Sequence, residues 1–208
     1  MILSKHGHAC VRIEDGGRAL VIDPGTFSDP AALAGAGAVL VTHEHDDHLD
    51  VAALAAARAA DPSLTVHAHP ALAAGLARTL GGDVRAVAPG DVFGAAGFDV
   101  TAVGGEHAEI VDGLPGCPNI GFVVEGVYHP GDALFIPDAE VGTLLVPASG
   151  PWLKTGEAVL FLRDVSPDRA FPIHDAGLSG IGMDNIDGWL EEEAAVYTRI
   201  PDGGSVEF

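Results

Sequence analysis

The chain has 208 residues, 48% of them hydrophobic, with 28 glycines and a formal net charge of -20. Ten lysines and arginines against thirty acidic residues, with no basic cluster, leave nothing to displace counterions from a nucleic acid, and the same field disfavours an anionic membrane surface. No apolar run reaches the roughly 18 residues of a membrane span, the N-terminus lacks the regions of a signal peptide, and two cysteines, Cys10 and Cys117, make no disulfide framework, so the composition reads as one cytoplasmic domain over residues 1–208 with reduced thiols.

Short β-type runs dominate the first half. Val11–Ile13 and Ala19–Ile22 flank Asp15-Gly16-Gly17, a hairpin turn signal, and Asp23-Pro24-Gly25 ends the second run. Residues 30–34 make a short helix at best. Ala38–Val41 reads as a buried strand, and Leu49–Ala60 as an Ala-rich helix stopped by Asp61-Pro62. A strand at Leu64–Ala68 precedes a helix at Pro70–Leu80, which has proline at its start and Gly81-Gly82 past its end. Strands follow near Val84–Val87, Val92–Phe93 and Phe98–Val103. Ile120–Val124 and Val127–His129 make a second hairpin around Glu125-Gly126. A buried strand at Thr143–Val146, a helix at Gly156–Val165, a strand at Ala170–Ile173 and a last helix at Ile186–Tyr197 complete the chain. Strands punctuated by helices in two halves predict sheets covered by helices.

The chemistry is concentrated just after the third of these strands. Thr42–Asp50 packs three histidines and four carboxylates into nine residues. Charges at that density need a cation, and imidazole and carboxylate both suit zinc and its first-row neighbours. His43 and His45 are alternate residues of an extended segment and can reach one ion. Asp47 and His48, at the turn into the helix, can reach a second. More ligands must come from later strand ends, and three candidates stand there: His107, Asp132 and His174.

These residues resemble a known family. Thr-His-Glu-His-Asp-Asp-His at 42–48 is similar to the HxHxDH motif of the metallo-β-lactamase superfamily. Gly104-Gly105-Glu106-His107 looks like its third-histidine motif, Tyr128-His129-Pro130-Gly131-Asp132 like its bridging-aspartate motif, and Ile173-His174 like its final histidine. Together with Gly7-His8-Ala9, they most resemble the small, single-domain L-ascorbate-6-phosphate lactonase-like hydrolases. The resemblance implies an α/β fold, a four-layered αββα sandwich with metals at one sheet edge. It implies that His43, His45 and His107 hold one divalent ion, that Asp47, His48 and His174 hold another, and that Asp132 bridges them. The ions are expected to be zinc, with manganese the alternative. Those enzymes often carry threonine after the bridging aspartate, where Ala133 stands here.

The expected reaction is hydrolysis of a small-molecule ester, lactone, amide or phosphodiester by a hydroxide shared between two ions about 3.5–4 Å apart. Asp47 and Asp132 are the catalytic carboxylates, and proton delivery to the leaving group falls to a bound water or to Asp47. His8, by resemblance, touches substrate or braces a ligand, Trp152 shapes the pocket, and Lys154 is the best of the few cations for a phosphate. His67, His69 and His129 read as strand or turn residues. Glu106 and Asp175 are candidates to orient the histidines beside them. Two other classes stay open. One is a di-iron redox protein, against which His45 argues, because that use of the fold has glutamate there. The other is a non-catalytic metal binder. A homo-oligomer is compatible with the sequence, which does not fix the oligomeric state.

Overall fold

The computed structural model describes every residue except 115. Its strands form two seven-stranded mixed sheets. In the first, the spatial order is β14 (Ser205–Glu207), β1 (Ile2–Lys5), β2 (Val11–Asp15), β3 (Arg18–Ile22), β4 (Ala38–Val41), β5 (Thr65–Ala68) and β6 (Val84–Ala86). In the second it is β13 (Val196–Tyr197), β12 (Arg169–Ile173), β11 (Thr143–Pro147), β10 (Val127–His129), β9 (Pro118–Val124), β8 (Phe98–Glu106) and β7 (Val92–Ala95).

Side-chain alternation on the strands builds the layers. Ala38 and Leu40 of β4 enter the core between the sheets, where they meet Phe98, Ile120, Phe122 and Phe171 of the second sheet. Val39 and Val41 of the same strand face the other way, onto Leu54 of α1 (Val51–Ala60) and Leu76 of α2 (Pro70–Leu80). On the second sheet, Leu144 and Val146 turn outward onto Phe161 and Leu162 of α3 (Thr155–Val165) and onto Ile186 and Leu190 of α4 (Gly180–Leu190). The result is an αββα sandwich. Strands β3 to β6 run parallel, and β3 and β4 are buried along most of their length, which is why those two read as continuous apolar runs.

The last helix differs from its predicted range of 186–197. It begins at Gly180, capped by Ser179, whose Oγ accepts from Gly182 N–H, and it ends at Leu190. Gly180 and Gly182 hide the start, because glycine is a poor helix former. Three consecutive glutamates, 191–193, do not prolong the helix, since negative charge opposes its C-terminal dipole. Tyr197 instead enters β13 and pairs with Ala170. The terminal strands β1 and β14 were not predicted. They pair with each other and tie the two ends of the chain together.

Among the described residues, no helix is long and apolar enough to cross a membrane. Both cysteines are free thiols, and burial pushes Cys10 up to about 12. His67 is a buried strand residue stacked on Phe93, and His69 caps α2 by accepting from Ala71 N–H.

Candidate metal centre

The loop ends of β3, β4, β8, β10 and β12 meet at one end of the sandwich. Two groups of possible ligands converge there, each with donor atoms within 4.8 Å of one another: His43, His45, His107 and Asp132, and His8, Asp47, His48 and His174. All seven residues expected to bind metal are therefore brought together, with His8 beside them.

Hydrogen bonds fix the imidazole tautomers. Asp23 accepts from Thr42 N–H at 2.8 Å and from Thr42 Oγ1–H at 2.7 Å. With its proton committed to Asp23, Thr42 Oγ1 can only accept, so His43 Nδ1–H donates to it at 2.9 Å. His48 Nδ1–H donates to Asp23 at 2.7 Å, and His107 Nδ1–H to the Ala108 carbonyl at 2.6 Å. In the neutral form of each of these rings Nε2 is the bare lone pair facing the cluster, as metal-binding histidines require. His8 is the opposite case. Its Nδ1 accepts from Ala176 N–H, so Nε2 carries the proton and donates to Asp47 at 3.2 Å. His8 therefore holds Asp47 in place, and in this tautomer it is no ligand.

Asp132 lies at the junction of the two groups. Its Oδ1 is 3.0 Å from His48 Nε2, and its Oδ2 is 3.1 Å from His174 Nε2 and 3.3 Å from His107 Nε2. Trp152 Nε1–H donates to Oδ2 at 3.0 Å. Asn119 spans the turn below, accepting from Asp132 N–H and donating to the Pro130 carbonyl. His129 donates to the Ala9 carbonyl and accepts from Gly131 N–H, so it braces the same turn.

Electrostatics give the same picture. Burial, and then the neighbouring His48, push His43 down to about 3, so its ring is neutral. Burial also opposes charge on His48, yet Asp23 and Asp132 outweigh it and raise its pKa to about 10: the two carboxylates draw positive charge to Nε2, which a proton or a cation in its place supplies. Burial alone would raise Asp132, but the His107, His174 and His48 rings crowded around it draw its carboxyl well below the usual range. The hydrogen bond from His8 does the same for Asp47. Carboxylates held this firmly ionised in a buried site call for positive charge.

These residues fit divalent ions. His48 Nε2, His107 Nε2, His174 Nε2 and Asp132 Oδ1 are buried without a hydrogen-bond partner, although they lie close together. Lone pairs converging without protons between them are what a cation satisfies, and a nitrogen and oxygen donor set suits zinc or manganese.

Several expectations change. Lys154 is not brought to the site: its side chain is 85% exposed and pairs with Glu157 at the start of α3. Asp175 does not orient His174 through its ring; it is buried in ion pairs with Lys5, at 2.7 Å, and Arg199. Glu106 is exposed. Asp23, Asn119 and Thr42 were not expected to contribute. Asp23 had one sequence signal, a carboxylate ending a buried strand, but it read as a turn.

Gly25 shows how tightly the site is built. A Cβ there would lie 1.8 Å from the Asp47 carbonyl oxygen. Gly25→Ala is expected to push the 42–50 loop away, lowering the unfolding temperature and the bound metal together. Thermal unfolding and metal analysis of the variant would check this, and wild-type values for both would show that the loop tolerates the methyl.

A family profile described as "Beta-lactamase superfamily domain" matches residues 2–174. The chain is 43% identical over 183 residues to Protein Rv0786c of Mycobacterium tuberculosis, covering 85% of this chain and 84% of that protein. It is 30% identical over 188 residues to a UPF0173 metal-dependent hydrolase of Natranaerobius thermophilus, covering 81% and 80%. Among solved structures, the metallo-beta-lactamase fold protein YhfI from Bacillus subtilis superposes with a TM-score of 0.78 at 15% identity, over 100% of this chain and 99% of that one. CmlA, a diiron beta-hydroxylase from Streptomyces venezuelae, superposes with a TM-score of 0.67 at 16% identity, over 94% of this chain and 52% of that one. With its αββα layers and its histidine–aspartate cluster at one end of the sheets, the chain belongs to the beta-lactamase superfamily domain family and has the metallo-β-lactamase fold.

Proposed function

We propose that this protein is a dinuclear metal-dependent hydrolase acting on a small-molecule ester, lactone, amide or phosphodiester. One observation carries the reading: three histidines have Nδ1 tied to a protein acceptor and Nε2 turned inward, around an aspartate shared by two ligand groups. The name of the Natranaerobius relative, a metal-dependent hydrolase, points the same way. His43, His45 and His107 would hold one ion and Asp47, His48 and His174 the other, with Asp132 between them. Zinc is the proposed metal, and manganese suits the same donors. When bound, two such ions supply a Lewis acid and a water that ionises near neutral pH.

The chain's own residues do the rest. Asp23 and Thr42 hold His48 and His43 in the binding tautomer. Trp152 Nε1–H fixes the Asp132 carboxylate, and Asn119 holds the backbone turn beneath it. Asp47, half-buried and held by His8 Nε2–H, would relay a proton taken from water to the leaving group. Residues 1–208 act as one domain, since the core between the sheets draws on both halves of the chain. The free thiols and the acidic surface suit a cytoplasmic setting.

A second reading, di-iron redox chemistry, is favoured by one observation, the likeness to CmlA. Purified protein separates the two. Metal analysis is expected to find about two zinc or manganese ions per chain, with no iron absorption band. Nitrophenyl esters, bis-nitrophenyl phosphate and lactones should include at least one substrate that the wild type cleaves and His45→Ala does not. Two bound irons and a coloured protein would favour the redox reading. Equal inertness of wild type and variant toward every class would leave a metal binder.

A further inference from the structure

A cleft of about 630 Å³ borders the candidate metal centre, with His45 and His107 among its lining residues. Glu44, Glu106 and Glu109 line it, and Ile110 and Leu114 supply its apolar wall. All three glutamates are exposed. None of the chain's ten lysines and arginines lines the cleft. Lys5, Arg12, Arg18, Arg85, Lys154, Arg163 and Arg199 are committed to carboxylates elsewhere. The cleft borders the metal centre, because His107, one of its lining residues, turns a buried Nε2 toward Asp132 at 3.3 Å.

We infer that this cleft selects substrates by charge: it prefers a cationic small molecule with an apolar flank and disfavours an anionic one, with Glu44, Glu106 and Glu109 as the specificity-determining residues. The inference rests on the hydrolase reading and deepens it. Charge arithmetic supports it. Even with two divalent ions seated, Asp47, Asp132 and the three glutamates present five carboxylates to four positive charges. Beyond the two ions, a phosphorylated or carboxylated substrate finds no guanidinium or ammonium among the cleft residues, and anion recognition relies on such donors. A cation meets three unpaired carboxylates at the mouth, a field that concentrates it locally. The cleft therefore argues against the sugar-phosphate chemistry that the lactonase resemblance implies.

The test uses zinc-loaded full-length protein and three 4-nitrophenyl benzoates of similar size. Their para substituents are trimethylammonio, tert-butyl and sulfonate, and each enzymatic rate is divided by the hydroxide-catalysed rate. The expected kcat/KM falls in the order cation, neutral, anion, with about tenfold between the ends at low salt, and the spread narrows as ionic strength rises. In Glu44→Gln/Glu106→Gln/Glu109→Gln, the ratio between the ends is expected to fall toward one.

Binding is measured separately by calorimetry, using phenyl methyl sulfones with the same three substituents, which have no bond to hydrolyse. The same order of dissociation constants supports the inference even where no ester is turned over, and in that case only the hydrolase reading fails. Equal or anion-favouring binding overturns the inference whatever the turnover. An order that survives unchanged in the triple variant overturns the assignment to these glutamates.

Discussion

Replacing Asp132 by alanine is expected to remove at least one of the two divalent ions and to lower kcat/KM toward any ester the wild type cleaves by about 10³-fold, the rate equivalent of about 4 kcal/mol. The argument is geometric. Asp132 Oδ1 approaches His48 Nε2 of one ligand group, and Oδ2 approaches His107 Nε2 of the other. No other carboxylate in the cluster contacts both groups. Without it, each ion would lose an anionic ligand, and the lone pairs of His48 and His107 would face each other with one less negative charge between them. Asp132→Asn sharpens the test. It keeps the shape, yet its amide sets a donor or a neutral oxygen where Trp152 Nε1–H and the histidines now meet a carboxylate. Metal analysis and steady-state kinetics on both variants are the measurements. Two ions retained with wild-type kinetics would refute the bridging role.

The second large effect is expected from Asp23, which touches no proposed ion. Asp23 is fully buried and accepts three hydrogen bonds, from Thr42 N–H, Thr42 Oγ1–H and His48 Nδ1–H. Asp23→Ala strands three buried donors, at about 1–3 kcal/mol each where no water reaches them. A clear fall in the denaturation midpoint of metal-free protein is therefore expected. Asp23→Asn separates positioning from stability. Its side-chain oxygen can still accept from Thr42, but its NH₂ would point at His48 Nδ1. The ring would then carry its proton on Nε2, the atom needed for metal. Metal affinity is expected to fall about 10–100-fold, as for other groups that hold a ligand in its tautomer, while the fold is retained. Chelator-competition titration reads the affinity, and circular dichroism with urea reads the fold. An Asp23→Asn protein that binds metal like the wild type would show that the tautomer is set some other way.

The residues that converge at the candidate metal centre were largely legible in the sequence. His43, His45, Asp47 and His48 lie within one turn of chain, so local geometry alone brings them together. His107, Asp132 and His174 each follow an apolar run, and strand ends on one side of a sandwich have few places to go. Two of the parallel strands, at Ala38–Val41 and Thr143–Val146, were legible as buried strands, because burial on both faces leaves an unbroken apolar run.

Contacts between segments distant in sequence were not legible. Asp23 read as a turn residue because its three donors come from Thr42 and His48, 19 and 25 positions away. Asp175, adjacent to His174, read as its helper, yet it turns to Lys5, 170 positions away. Lys154 read as a phosphate anchor, but the start of α3 points it outward beside Glu157.

By itself, then, the sequence determined the layered class, the metal-binding chemistry and seven candidate ligands, because hydrophobic period and ligand spacing are local quantities written along the chain. The tertiary structure alone decided which nitrogen of each imidazole carries the proton, that His8 braces Asp47, and that the cleft wall is acidic. Each of these depends on which distant backbone or side-chain group fills the space beside a given atom, and hydrogen bonds and fields of that kind come into being only when the two sheets close on each other.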